Sequence, residues 1–146
     1  MYEAWADGSV RGNPGIGGVG VVVKKDGEIV SDVSKIIGDK VTSNEAEYRA
    51  VMEAIRVVTV LNKYAGTSED VVIYTDSALV HGQLEKNWKI NHDHLWILND
   101  GIKNLMKLSD FAVQVKLISR EDNAEANDLA QEVTEAYKKE RLNGVQ

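Results

Sequence analysis

Three acids hold most of the chemistry legible in this 146-residue chain: Asp7, Glu47 and Asp76. Asp7 closes a strand-like run that begins at Tyr2, and Asp76 closes the compact apolar run Val71–Thr75. Ligands of open α/β sheets gather beyond the carboxyl ends of strands, so both carboxylates are expected in one crevice. Plain turn and cap roles also suit Asp-Gly and Asp-Ser. Glu47 stands four residues before Val51 and extends the helical stripe Val51, Ala54, Ile55, Val58 and Leu61. A carboxylate on such a face is costly unless it is paired or bound to metal. The plainer alternative is a first-turn acid that favours the helix dipole. Carboxylates from three separate elements make an all-oxygen donor set, which suits Mg²⁺ or Mn²⁺ rather than zinc. Two such ions roughly 3.5–4 Å apart activate a water and stabilise a leaving oxygen in phosphoryl chemistry.

The elements that must position these acids follow from pattern. Tyr2–Asp7 reads as a strand, Gly8 to Gly18 as a glycine-rich turn and Val19–Lys24 as a buried strand. Asp26-Gly27 is a two-residue hairpin signal, with Glu28–Ile37 as the return strand. Thr42-Ser43-Asn44-Glu45 fits a capping box and starts a helix that runs to about Lys63. After strand Val71–Thr75 the pattern predicts a short helix over Ser77–Glu85. A further helix follows, capped within Asn91–Asp93 and ending near Leu108. Phe111–Ser119 alternates as a strand, and Asn123 is expected to cap a last helix from Ala124 to about Arg141, with a frayed tail over residues 142–146. Three strands in a meander, then strands alternating with helices, predict an α/β domain with a mixed sheet and helices on its faces. Residues 1–146 read as one domain, without repeat or linker.

Composition narrows the function. Cysteine is absent, which removes disulfides and thiolate metal sites and suits a cytoplasmic protein. No signal peptide or membrane-spanning run is visible, so the chain is expected to act without a membrane, as a monomer. A net charge of −6 is the wrong sign for a simple groove reader of nucleic acid. Divalent cations bridging carboxylates to phosphates would reconcile acidity with a nucleic-acid substrate.

Four motifs in order resemble type 1 ribonuclease H across nearly the whole chain: Asp7-Gly8-Ser9-Val10-Arg11-Gly12-Asn13-Pro14-Gly15, Thr42-Ser43-Asn44-Glu45-Ala46-Glu47-Tyr48, Tyr74-Thr75-Asp76-Ser77, and Arg120 through Ala130. The resemblance implies a ribonuclease H-like fold, a five-stranded mixed sheet of order 3-2-1-4-5 with the first three strands antiparallel, flanked by helices. It implies two-metal hydrolysis of the RNA strand of an RNA–DNA hybrid, leaving 5′-phosphate and 3′-hydroxyl ends, with two Mg²⁺ ions and Mn²⁺ as the alternative. Asp7, Glu47, Asp76 and the position of Asn127 form the implied catalytic and metal-binding set, which Gly8 joins through its backbone. The implied substrate contacts are Gly8, Ser9, Asn13, Pro14, Gly15, Thr42, Asn44, Ser77, Trp88 and Arg120. Thr42 would meet a DNA-strand phosphate, Asn44 the minor groove and Trp88 a DNA sugar. Exposed 2′-hydroxyls in an A-form-like minor groove let a protein tell RNA from DNA.

The chain departs from the family in its last motif, where the fourth carboxylate sits four residues after an Asn. Counting from Asn123 gives Asn127, an amide. Asp128 is one residue on, but at about 100° per residue it falls opposite the apolar stripe Ala126, Leu129, Ala130, Val133 and Tyr137. Asn127 is therefore read as a neutral ligand in a carboxylate slot, weakening one metal site and slowing turnover. The loop before the last helix carries Arg120 in place of a histidine, and Ala78 stands where relatives carry a glutamine. Two other functions stay open: a silent hybrid-binding module of the same fold, and a related metal nuclease acting on double-stranded RNA or DNA. His92 and His94 read as helix-start residues rather than metal ligands. Trp5, Trp96 and Phe111 are assigned to the core. The glycine-rich stretch is no phosphate loop, because a strand follows it and no Gly-Lys-Ser/Thr occurs.

Overall fold

A computed structural model describes residues 1–144. Strand β1 (Tyr2–Gly12) turns through Asn13 and Pro14 into β2 (Gly15–Lys25), and Asp26-Gly27 leads into β3 (Glu28–Val41). Then come α1 (Ser43–Ala65), β4 (Val71–Thr75), α2 (Ala78–Glu85), α3 (Asp93–Leu108), β5 (Val113–Leu117), a 3-10 turn (Glu121–Asn123) and α4 (Ala124–Gly144). The sheet order is β3-β2-β1-β4-β5. The first three strands are antiparallel, β4 runs parallel to β1, and β5 runs parallel to β4. Order and polarity are those the resemblance implies. Among the described residues, no helix is long and apolar enough to cross a membrane.

Local chemistry accounts for the punctuation. Asp26 and Gly27 both take positive φ, 53° and 81°, as a tight hairpin turn with strand-matched twist requires. At the start of α1, the Thr42 hydroxyl accepts from the Glu45 N–H at 3.2 Å, while the Glu45 carboxylate reaches back to the Thr42 N–H, completing the expected capping box. Gly66, left-handed at φ 67°, ends the helix. The stripe Val51, Ala54, Ile55 and Val58 is buried in one core with Ala4, Ala6, Val21 and Val23 of the hairpin and Ile73 of β4. Burial of each aliphatic side chain is worth about 1.5–3 kcal/mol, so this seam carries much of the driving force.

Of the glycine-rich stretch only Asn13 and Pro14 form a turn; the rest is paired strand on either side of it, which places Asp7 inside β1 rather than at its end. Sequence reading takes clustered glycines for a loop; here they let helices lie close on both faces of the sheet. A Cβ on Gly8 would sit 2.4 Å from the Ala46 carbonyl carbon of α1, and one on Gly20 would sit 2.1 Å from the Ala126 carbonyl oxygen of α4. Replacing Gly20 by Ala should therefore force α4 outward and cost about 1–3 kcal/mol, as overpacking does. A lowered urea midpoint with unchanged slope would show it, and a native midpoint would refute it.

Other expectations are corrected in the same way. β3 runs on to Val41, four residues past the expected Ile37, and β5 is shorter than expected at both ends. Asn123 does not cap α4: it is fully buried, and its amide is spent elsewhere. Trp96 is 57 % exposed and Trp5 only partly buried; Phe111 does belong to the core. Leu142–Gly144 continue the last helix, while Val145 and Gln146 lie outside the described residues.

Candidate active site

Past the pair Trp5–Tyr74 the ladder between β1 and β4 stops, and the two strands part. Asp7 and Asp76 stand on either side of that opening. The remaining acid comes from α1, because the close approach at Gly8 lets its first turn overlie β1. The Gly8 N–H donates to Glu47 Oε1 at 2.8 Å. Carboxylate oxygens of Asp7, Glu47 and Asp76 all lie within 4.8 Å of one another. Asp7 and Gly20 face each other across the hairpin, so the seat of α4 on Gly20 also sets the neighbour of Asp7. That neighbour is Asn127, whose Nδ2 donates to Asp7 Oδ2 at 2.7 Å. Asn123 joins the strands: its Nδ2 donates to the Ala6 carbonyl of β1 at 2.9 Å and to Asp76 Oδ2 at 3.3 Å.

The electrostatics are strained in a specific sense. Burial pushes the Glu47 carboxyl well above the ordinary carboxylate range, and the charge of Asp7 pushes it further. Asp7 is raised too, first by burial, although its hydrogen bonds to Glu47 and Asn127 oppose the rise. Among the described residues no N–H or hydroxyl donor reaches the buried Glu47 Oε2, so a proton shared with Asp7 or a cation must satisfy it. Buried acceptors are normally satisfied, and an orphan beside two other acids is what a cation would relieve.

The cleft around these acids has a volume of about 370 Å³. Of the residues singled out from sequence, it brings together Asp7, Gly8, Glu47, Asp76 and Asn127 with Ser9, Asn44, Ser77 and Arg120. Asn13 and Thr42 line a neighbouring cavity instead. Asn13 Oδ1 accepts from the Ser43 N–H at 3.1 Å, tying the hairpin tip, with Pro14 and Gly15, to the start of α1. The Ser77 hydroxyl accepts from the Val80 N–H and so caps α2. Trp88 lines neither cavity; it is half-exposed, with its indole over Gly82. Sequence reasoning missed Gln131 and Ser43 in the cleft wall. Gln131 sits one helical turn past Asn127, a spacing that signals a shared face. Asn123 offered no such signal, since an Asn before a helix reads first as a cap.

Known proteins share this fold. A model of the reverse transcriptase-like family matches residues 6–133. Ribonuclease HI of Halobacterium salinarum is 37% identical over 94 residues, 64% of this chain but 44% of that protein, so the match spans less than half of the relative's length. Among solved structures, LC11-RNase H1 in complex with RNA/DNA hybrid is similar with a TM-score of 0.86 and 26% identity, covering 94% of this chain and 99% of that one. RNase H1 from Halobacterium salinarum gives 0.81 and 30%, covering 92% and 98%. The family match takes in all four positions around the opening between β1 and β4, and the sheet order agrees strand for strand: the chain belongs to the type 1 ribonuclease H family.

Proposed function

We propose that this chain is an endoribonuclease that hydrolyses the RNA strand of RNA–DNA hybrids, with Asp7, Glu47 and Asp76 holding two Mg²⁺ ions and Asn127 in the place of a fourth ligand. One observation carries the reading: three carboxylates from β1, α1 and the end of β4 crowd within 4.8 Å, with one buried oxygen that no N–H or hydroxyl of the described residues reaches. Such a group must take up a proton or a counter-charge, and oxygen donors alone select a hard cation, Mg²⁺ or Mn²⁺. When bound, the ions supply Lewis acidity to the attacking water and to the departing oxygen. The protein's part is to hold the acids at fixed spacing, through the Gly8 N–H on Glu47 and the Asn123 amide on Asp76. Water oxygen joins phosphorus, the bond to the 3′ oxygen breaks, and that oxygen takes up the proton, leaving 5′-phosphate and 3′-hydroxyl ends.

A hybrid is favoured as substrate because the cleft wall also carries neutral hydrogen-bonding groups, Ser9, Ser43 and Asn44. Such groups suit 2′-hydroxyls in a shallow minor groove. The similar LC11-RNase H1 holds an RNA/DNA hybrid. Labelled hybrid, single-stranded RNA, duplex RNA and duplex DNA should be offered side by side with Mg²⁺. Cleavage of the hybrid's RNA strand is expected, with the other substrates at least about tenfold slower. Comparable cleavage of duplex DNA or duplex RNA would overturn the proposal. The hydrogen bond from Asn127 to Asp7 favours a second reading, a module that holds hybrid without cutting it; tight binding with no cleavage in Mg²⁺ or Mn²⁺ would establish that one.

A further inference from the structure

We infer that Gln83 is a positioning residue: its buried side chain fixes the exposed segment around Trp88 as a contact for the hybrid. This rests on the hybrid-substrate reading above. Residues 86–92, between α2 and α3, form no regular structure. Trp88 stands there with its indole 47 % exposed, between the exposed Lys86 and Lys89. Among the described residues neither lysine takes part in an ion pair. In a chain of net charge −6, an open indole flanked by two free cations suits a nucleic-acid strand, by ring contact and by attraction of its phosphates. Ser77, on the wall of the carboxylate cleft, caps α2, and Trp88 follows the other end of that helix. Eight helical residues span about 12 Å, so the indole stands one short helix away from the cleft.

An irregular segment presents an aromatic ring in one pose only if its backbone is tied down. The Trp88 N–H donates to the Gly82 carbonyl at 3.1 Å, beside the Lys86 N–H at 3.0 Å on the same oxygen. Between them Asn87 takes a left-handed φ of 55°. The indole lies on Gly82, where a Cβ would come within 2.1 Å of Trp88 Cδ2. These ties hold the near side of the ring. On the far side the tie is Gln83, whose Nε2 donates to the Lys89 carbonyl at 3.3 Å.

Gln83 is itself oriented from two other helices. Its Oε1 accepts from the hydroxyl of Tyr48, a fully buried residue of α1. From α3 the buried Asn99 donates Nδ2 to the Tyr48 hydroxyl oxygen and to the Gln83 backbone carbonyl, each at 3.2 Å. Burial raises the Tyr48 hydroxyl above its ordinary value, so it stays protonated and acts as a donor. A donor there leaves the Gln83 amide one orientation, with its oxygen toward Tyr48 and its nitrogen toward Lys89. Val80, Leu95 and Ile102 belong to the same three-helix core, which apolar side chains of equal volume would fill as well. What the buried amides add is direction. Tyr48 directly follows Glu47, so the turn of α1 that sets a cleft acid also sets Gln83.

The paired variant Tyr48→Phe/Gln83→Met tests this, because it removes both polar partners at nearly constant volume and should keep a urea midpoint close to native. With Ca²⁺ in place of Mg²⁺, anisotropy of a fluorescent hybrid should show binding about 5- to 20-fold weaker. With Mg²⁺, KM should rise by a similar factor while kcat stays within about twofold. Trp88→Ala should lose as much affinity. Adding the pair to Trp88→Ala should then cost nothing further, since its effect passes through the indole. A merely structural defect would instead lower kcat or add to the Trp88→Ala loss. Should the pair fail to fold, Gln83→Asn, whose shorter amide cannot span from Tyr48 to Lys89, must show the same Trp88-dependent loss. Native affinity in Trp88→Ala or in the folded pair, a fall confined to kcat, or losses that multiply would overturn the role of Gln83 and leave the hybrid reading standing. No hybrid binding by the native chain removes the hybrid reading and this inference together.

Discussion

Replacing Asn127 by Asp should raise the rate of hybrid cleavage at saturating Mg²⁺ by about 10- to 100-fold, equivalent to about 1.4–2.7 kcal/mol of barrier. Asn127 lies in the cleft and donates to Asp7 at 2.7 Å, whereas Asp128 is exposed and lines no part of it. In the native chain the amide does part of a cation's work: its hydrogen bond favours the ionised form of Asp7. A neutral amide oxygen can ligate a hard cation but brings no charge, so the centre holds three negative charges where a fourth would bind divalent ions more tightly. The substitution would also remove the donor to Asp7 and add repulsion in the metal-free state. The variant's melting temperature without metal should fall by a few degrees and recover as Mg²⁺ binds the native state. Equal cleavage by both chains at saturating Mg²⁺ would show that position 127 does not serve the metals.

Much of the arrangement is legible in the sequence because its signals are local. The capping box over Thr42–Glu45 starts α1 where expected, the apolar run Val71–Thr75 is β4 to the residue, and Ser77 caps α2. Local signals fail where a distant partner decides. Gly15, Gly17 and Gly18 look like a loop, yet they are strand residues, and α4 lies against Gly18 as it does against Gly20, which the sequence already places in a strand. Asn123 looks like a cap until its partners are found on β1 and just past β4, 117 and 47 residues away in the chain. Trp96 falls in an apolar pattern yet faces out, because α3 buries Leu95, Asn99 and Ile102. Residue type is enough to mark Asp7, Glu47 and Asp76 as acids in unusual places. Their convergence depends on the hairpin register and on how closely α1 approaches Gly8, and neither is written in the spacing of the acids.

Glu47→Gln should produce the largest loss and, at the same time, a more stable metal-free protein. Removal of one charged ligand from a three-carboxylate centre should cut hybrid cleavage by at least about 10³-fold, or about 4 kcal/mol. The stability effect follows from linkage. Burial and the Asp7 charge place the Glu47 carboxyl well above its ordinary value of 4.5 in the folded state. The native state then holds that proton more tightly than the unfolded chain does. This contribution is complete below the ordinary value and is lost as pH rises through the raised one. Metal-free native protein should consequently lose stability toward neutral pH, the reverse of what salt-bridged carboxylates do. A glutamine retains an oxygen for the Gly8 N–H and offers Asp7 a donor, and it has no charge to bury. In EDTA at about pH 8 the variant should melt roughly 2–4 °C above the native chain, about 1 kcal/mol for a domain of this size. The gap should narrow toward about pH 5 and close or reverse with Mg²⁺, which binds the native centre preferentially. A variant that melts below the native chain in EDTA at the higher pH would mean that Glu47 is satisfied without metal, and the case for a cation among these three acids would lose its physical basis.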